Sequence, residues 1–156
     1  MTAGPHCIKV EYREFVGGAV VNVTFQPGEA LPAAVETGTG WQGEYFSNRD
    51  LSGPAAFTRE DLAPQFNWQL GNPAPGLPID NFSIRWTRCL DMEGRDYVFT
   101  ALADEYVKVL VDDVQVLESL AAANAETTVP ISAGSHCIKA EFRDDQGPAN
   151  VNVSFR

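Results

Sequence analysis

"DYVFTALADEYVKVLVDDVQVLES" (residues 96–119) is a series of short apolar segments separated by polar residues. One strand-like segment is followed by two shorter ones that flank Asp112 and Asp113, a pair suited to a tight turn. Upstream, residues 81–90 ("NFSIRWTRCL") alternate apolar and polar side chains, as expected of a strand with one buried face. Short strands with regular turn signals, and no long amphipathic helix, predict an all-β fold, an antiparallel β-sandwich.

Composition narrows the classes of function. The chain has 156 residues, 44% of them hydrophobic, which suits one globular domain. Its formal net charge of −10 argues against a nucleic-acid partner, because such partners require clustered Lys and Arg. No apolar run approaches the roughly 18 residues of a membrane helix, so membrane insertion is not expected. His6 and His136 are the two histidines, and neither accompanies a nucleophile motif, so we predict no catalytic residues and no enzyme.

The chain begins and ends with nearly the same segment. Residues 3–26 align without gaps with residues 133–156, and 14 of the 24 positions are identical. In each copy, alternating apolar residues on both sides of a turn predict a β-hairpin. A lone hairpin is marginal in water, so the first copy needs a surface, either a preceding domain or a neighbouring subunit. The residues expected to mediate this assembly are Ile8, Val10, Tyr12, Val21, Val23 and Phe25.

Three parts of the chain follow from this pattern. Residues 1–26 are predicted to form an extra hairpin equivalent to the end of a preceding domain. Residues 27–40 are rich in Pro, Gly and Ala and are typical of a linker. Residues 41–156 are predicted to form the sandwich, within which residues 47–80 are interpreted as a long irregular excursion pinned by aromatic side chains.

Four blocks of the body carry a family resemblance: "WQGEYFSNRDLSGPAAFTRED", "FNWQLGNPAPGLPIDNFSIRWTR", "YVFTALADEYVKVLVDDVQVLES" and "AGSHCIKAEF". Together they resemble the PA-fourteen (PA14) domain, the β-sandwich family named after a fragment of anthrax protective antigen and found in yeast flocculins and adhesins. The resemblance covers Trp41 to Arg156. It implies a non-catalytic extracellular module for glycan binding or adhesion. The alternative, favoured by the extra hairpin, is a structural subunit of an extracellular tandem array or filament, whose partners are other copies of the same domain in a homo-oligomer or multi-domain chain.

The resemblance also implies a calcium cofactor. In the adhesin branch two successive Asp residues after a strand hold the ion, and the aligned pair here is Asp104 and Glu105. The longer Glu105, and Tyr106 where the family often has Gly, depart from that pattern, so a solvated turn with structural carboxylates is the alternative. Asp144 and Asp145, in the loop of the last hairpin, are candidates to assist, because hard oxygen ligands suit calcium.

The three cysteines point to disulfide chemistry. Cys89 and Cys137 lie in the polar register of their strands, where core filling explains them poorly. A cross-strand disulfide between them fits if the strands lie close together, and it implies an oxidising setting, secreted or at the cell surface. Cys7 is equivalent to Cys137 in the repeat, and the position equivalent to Cys89 falls before residue 1. Cys7 is therefore paired with a preceding domain or another subunit, or unpaired.

Overall fold

The computed structural model describes residues 40–156. The predicted extra hairpin of residues 1–26, its assembly residues, Cys7 and the linker up to residue 39 lie outside the described residues. Residues 40–156 contain no helix, and therefore none long and apolar enough to cross a membrane.

The described part of the chain forms two antiparallel sheets. One sheet has six strands in the order β2-β1-β4-β9-β6-β7, and the other has four in the order β3-β10-β5-β8. The prediction of an all-β antiparallel sandwich is confirmed. The strands are β1 (Trp41–Phe46), β2 (Phe57–Asp61), β3 (Gln65–Gln69), β4 (Phe82–Met92), β5 (Arg95–Ala103), β6 (Tyr106–Val111), β7 (Val114–Leu120), β8 (Ala125–Ile131), β9 (Gly134–Asp144) and β10 (Ala149–Phe155).

An aromatic cluster fills the core between the sheets. Trp86 of β4 is fully buried, stacks on Phe66 of β3 at a centroid distance of 5.7 Å, and packs against Phe142 of β9 at 6.5 Å. Phe82 lies 5.8 Å from Phe142. Burying each such ring contributes roughly 1.5–3 kcal/mol, so the cluster holds the two sheets together as a rigid support for the loops at their ends.

The turn predicted at Asp112 and Asp113 is present. These two residues have φ angles of 50° and 65° and connect β6 to β7 as a two-residue hairpin loop closed by the pair Val111 and Val114. Positive φ at both central positions is the pattern of the turn that matches strand twist, and Asp tolerates it better than most residues.

The closing segment is not a hairpin. β9 pairs with β4 and β6 in the larger sheet, whereas β10 pairs with β3 and β5 in the smaller one. Ile138 of β9 and Val151 of β10 therefore belong to the same core but reach it from opposite sheets. The hairpin interpretation of residues 133–156 was wrong, because alternation identifies a strand and its buried face but not its neighbours.

The interpretation of residues 47–80 as irregular was also wrong. This stretch contains β2, an edge strand of the larger sheet, and β3, an edge strand of the smaller sheet. Phe66 and Trp68 alternate with polar residues in β3, and they stack with a centroid distance of 4.9 Å. The aromatic side chains thus join the core as strand residues.

Candidate carboxylate site at one end of the sandwich

Among the connections that cross between the sheets, two at the same end of the molecule contain the predicted carboxylates. Asp104 and Glu105 form the whole link from β5 in the smaller sheet to β6 in the larger one. Asp144 ends β9, and residues 145–148 return the chain to β10 in the smaller sheet. Because β6 pairs with β9 and β5 pairs with β10, the two links lie side by side. The four predicted carboxylates are therefore brought to one end of the sandwich.

Asp104 and Glu105 are held by main-chain hydrogen bonds. The Asn150 N–H donates to Asp104 Oδ2 at 3.2 Å, and the Glu105 N–H donates to Asp104 Oδ1 at 3.1 Å. The Glu105 carboxylate accepts from the N–H of Asp145 and, at 3.0 Å, from that of Gln146. Burial raises the pKa of Asp104 above its ordinary value, although the hydrogen bonds oppose that effect. The longer Glu105 side chain thus has a structural task, which is to fasten one link to the other.

Asp80 joins the same end of the sandwich, and no sequence pattern pointed to it. Its Oδ1 accepts a hydrogen bond from the Gly147 N–H at 2.8 Å. Gly147 has a φ of 96°, a conformation that favours glycine, so the loop needs a glycine at this position. The Asp80 carboxylate therefore anchors the β9–β10 link from the chain segment just before β4.

Asp144 stands out within this group. The residue is 0% exposed, and neither carboxylate oxygen has a hydrogen-bond partner among the described residues. Burial, together with the neighbouring charges of Glu105, Asp104, Asp80 and Asp145, raises its pKa to about 7. A buried carboxylate without partners is costly, so this end of the sandwich is arranged for a positive charge or a proton.

A second buried carboxylate shows what a satisfied one looks like. Asp61, at the end of β2, accepts from the Tyr45 hydroxyl at 2.6 Å and from Trp86 Nε1 at 2.8 Å through Oδ2. Its Oδ1 pairs with Arg59 Nε at 2.5 Å. Burial and the Asp61 carboxylate raise the pKa of Tyr45. Asp61 is thus a structural residue, in contrast to Asp144.

Asp145 pairs with two arginines that line a cavity. Its Oδ1 lies 2.7 Å from Arg49 Nε and 3.2 Å from Arg143 Nε. The Arg143 guanidinium sits over the Tyr106 ring, 4.9 Å from its centroid. Arg49, Tyr106, Lys108 and Arg143 help to line a cavity of about 260 Å³. Its mixture of charged groups and an aromatic ring suits a polar ligand more than an apolar one.

The arrangement of the carboxylates agrees with the predicted calcium site only in part. Asp144 offers two unpartnered oxygens, the kind of group that a hard cation would compensate, and Asp104 and Asp145 lie nearby. Within residues 40–156, however, no group of three or more His, Cys, Asp or Glu side chains is placed to hold one metal ion. Any ion here would draw some ligands from main-chain carbonyls, amide side chains or water, or would require Glu105 to leave its loop amides.

The predicted cysteine pair lies at the opposite end of the same strands. Cys89 and Cys137 face each other in the β4–β9 register, with a Cα–Cα distance of 4.0 Å, and are joined by a disulfide. The shared polar register of the two thiols was therefore a usable signal. The bond links two strands of the larger sheet across 48 positions of sequence.

Ser132, His136 and Asp112 form a hydrogen-bonded row beside this disulfide. His136 Nδ1 lies 2.6 Å from Asp112 Oδ2, and Nε2 lies 3.2 Å from Ser132 Oγ. Asp112 Oδ1 also accepts from the Cys137 N–H at 2.9 Å, and His136 Nε2 is equally close to the Ser132 carbonyl. These contacts tie the β6–β7 turn to the start of β9, so we assign the row to structure.

A comparison with known families decides where the chain belongs. The sequence profile of the PA14 domain matches residues 37–155. The chain belongs to the PA14 domain family. The match includes the ten strands of residues 40–156 and the two links that contain the carboxylates, so the carboxylate site is part of the PA14 domain itself.

Relatives of this PA14 domain occur in larger proteins. The anti-sigma-I factor RsgI3 of Acetivibrio thermocellus is 30% identical over 124 residues, which is 76% of this chain and 19% of that protein. A solved anti-sigma factor domain-containing protein from Clostridium clariflavum is 25% identical, with a TM-score of 0.66 over 75% of this chain and 41% of that one. The chain thus spans less than half of either relative.

The fold also matches a PA14 domain of about the same size. A structure described as the PA14 sugar-binding domain from an RTX adhesin superposes with a TM-score of 0.65, covering 75% of this chain and 89% of that one. The sequence identity is 15%, so this likeness concerns the fold.

Proposed function

We propose that this PA14 domain is a non-catalytic carbohydrate-binding module that takes its ligand at the end of the sandwich formed by the two inter-sheet links. The observation that carries the proposal is the unpartnered carboxylate of Asp144 among the other carboxylates of those links. Membership of the PA14 family and the likeness to a domain described as sugar-binding support the same assignment.

The chemistry of the site favours a hydroxyl-rich ligand. Sugar hydroxyls both donate and accept hydrogen bonds, so they suit a surface that combines carboxylates, main-chain amides and the arginines at Asp145. Asp144 and Asp104 are the residues that would hold calcium, which supplies positive charge and coordination positions for hydroxyl oxygens. The 260 Å³ cavity lined by Arg49 and Arg143, the two arginines that pair with Asp145, gives room for a further part of the ligand.

We further propose that the domain works outside the cell or at its surface. Disulfides persist in oxidising compartments, and the Cys89–Cys137 bond joins neighbouring central strands of the larger sheet. The domain aligns with a small part of a protein named as an anti-sigma-I factor, which fits a binding module carried by a longer chain. The repeat of residues 3–26 favours a second role in assembly.

A titration and a glycan array test the binding proposal. We expect calcium to bind in calorimetry at pH 8 and glycan binding to disappear with chelator or in Asp144→Asn. The matched control is Asp113→Asn, which removes an exposed carboxylate paired with Lys139 at the opposite end of β6. Glycan binding that Asp144→Asn and Asp104→Asn leave unchanged, or the absence of any bound glycan, would refute the proposal.

A further inference from the structure

The last two strands occupy a special place in the sandwich. β9 lies between β4 and β6, and β10 lies between β3 and β5, so residues 133–156 fill an interior position in each sheet. Ile138, Val151 and Val153 are at most 2% exposed. A segment with this sequence is therefore adapted to two facing sheets, with one apolar face for each side of the same core.

The first copy of the repeat keeps that adaptation. Ile8, Val21 and Val23 are identical to the buried Ile138, Val151 and Val153, and Asn22 is identical to the exposed Asn152. If the first copy docked as a hairpin against one surface, only one of its two apolar faces would be buried. Its full apolar pattern matches a pair of vacated β9 and β10 positions.

We propose that residues 3–26 of one chain take the β9 and β10 positions of a second copy, in place of residues 133–156 there. The proposed partner is another molecule of the same chain, joined by strand replacement inside the core. This proposal is independent of the carbohydrate function, because it rests on the repeat, the sheet order and the burial of β9 and β10.

The positions of the cysteines allow the exchanged strand to form a disulfide with the second chain. In the β4–β9 register Cys137 lies opposite Cys89, so Cys7 of the incoming segment takes the place opposite Cys89. The Cys7 thiolate attacks Sγ of Cys89, a Cys7–Cys89 bond forms, and Cys137 leaves as a thiolate. One disulfide is broken and one is made, so the step needs no external oxidant.

The sequence differences between the two copies determine which copy fits the β9 and β10 positions better. Val10 replaces Ala140, which is 0% exposed, and Tyr12 brings a hydroxyl to the buried position of Phe142. Both changes make the first copy fit less well than the chain's own closing strands. Phe15 replaces Asp145, so an exchanged domain also loses one carboxylate of the candidate site.

A full-length Cys137→Ser chain tests the proposal, because it leaves Cys89 without its own partner. After air oxidation we expect disulfide-linked dimers and longer ladders on non-reducing gels. Trypsin should release residues 1–9 linked to residues 89–95, which contain Cys7 and Cys89. A linked pair found in single chains, or no such pair, would overturn the proposal.

Two controls separate strand pairing from chance oxidation. Adding Val21→Asp and Val23→Asp to the Cys137→Ser chain should lower the yield of linked peptide at least about tenfold, because buried carboxylates oppose insertion. Asn22→Asp in the same background should leave the yield unchanged, since the equivalent Asn152 is exposed. Equal yields in all three chains would show chance capture and refute the proposal.

The unsubstituted chain provides a test that does not depend on whether Cys137→Ser folds. In a glutathione redox buffer, thiol exchange proceeds without any substitution, and the same inter-chain Cys7–Cys89 peptide should appear as a minor product. Its absence from the unsubstituted chain, with the domain still folded by near-UV circular dichroism, would count against the exchange.

Discussion

Replacing Asp144 with Asn should change how the stability of the domain depends on pH. The carboxyl is buried without a hydrogen-bond partner, and its pKa in the folded state is about 7 rather than the ordinary 3.8. Between these values the folded domain keeps the proton while the unfolded chain releases it. The free energy of unfolding therefore falls as the pH rises from about 4 to about 7. The amide introduced by Asp144→Asn does not titrate in that range, so the variant should lack this contribution.

The size of the effect follows from the two pKa values. At about 1.4 kcal/mol per pH unit, a pKa of about 7 in place of 3.8 corresponds to a loss of about 4 kcal/mol at pH 8. The stabilisation is fully present below pH 3.8 and is lost by about pH 7. The neutral amide has its own packing and desolvation cost, but that cost is constant with pH and cancels when the two pH profiles are compared.

Urea unfolding with chelator present, at intervals from pH 4 to pH 8, measures this difference. We expect the stability of the unsubstituted domain relative to Asp144→Asn to fall by about 4 kcal/mol across the range. Calcium added at pH 8 should then raise the midpoint of the unsubstituted domain more than that of the variant. A difference that stays constant within about 1 kcal/mol would refute the burial argument for Asp144.

Three further predictions concern stability. Asp61→Ala leaves the Tyr45 and Trp86 donors without their acceptor, and it should lower the free energy of unfolding in urea by about 3–5 kcal/mol. An equal loss for Asp61→Asn, which keeps an acceptor oxygen, would contradict this reason. Cys89→Ser opens a disulfide spanning 48 positions and should cost about 4 kcal/mol, and a reductant should then no longer change the melting temperature; a reductant effect that persists would argue against the bond. Gly43→Ala places a Cβ 2.7 Å from Asp61 Oδ2 and should cost about 1–3 kcal/mol in thermal unfolding, whereas an unchanged melting temperature would show that the strand moves freely there.

The sequence revealed strands and turns better than it revealed which strands pair with each other. The alternation around Asp112 and Asp113 predicted β6, β7 and their turn, because a two-residue hairpin is specified by its own residues. Phe66 and Trp68 carried the same period-two signal for β3, but the surrounding Pro and Gly obscured it. The cysteine pair pointed to β4 as a neighbour of β9, but no signal pointed to β6, which lies far away along the chain.

The candidate site shows the same division. The family resemblance pointed to Asp104 and Glu105, and the structure brings them beside the loop that contains Asp145. Within residues 40–156 the carboxylate of Asp144 lacks hydrogen-bond partners because of how the two inter-sheet links, which are far apart in sequence, pack together. Asp80 reaches the site from the segment before β4. Burial of this kind is a property of the assembled sandwich, so no local sequence pattern encodes it.

The position of β9 and β10 also sets the order in which the domain can be built during synthesis. Until residue 144 has left the ribosome, β4 and β6 lack the strand that lies between them, and β3 and β5 lack theirs until residue 155 has followed. The nascent chain up to residue 133 therefore exposes apolar edges and faces that nothing in its own domain can cover. Folding must wait for the last strands, and such long-range pairing is slow, which makes this interval the one in which the chain is most open to aggregation and to chaperones.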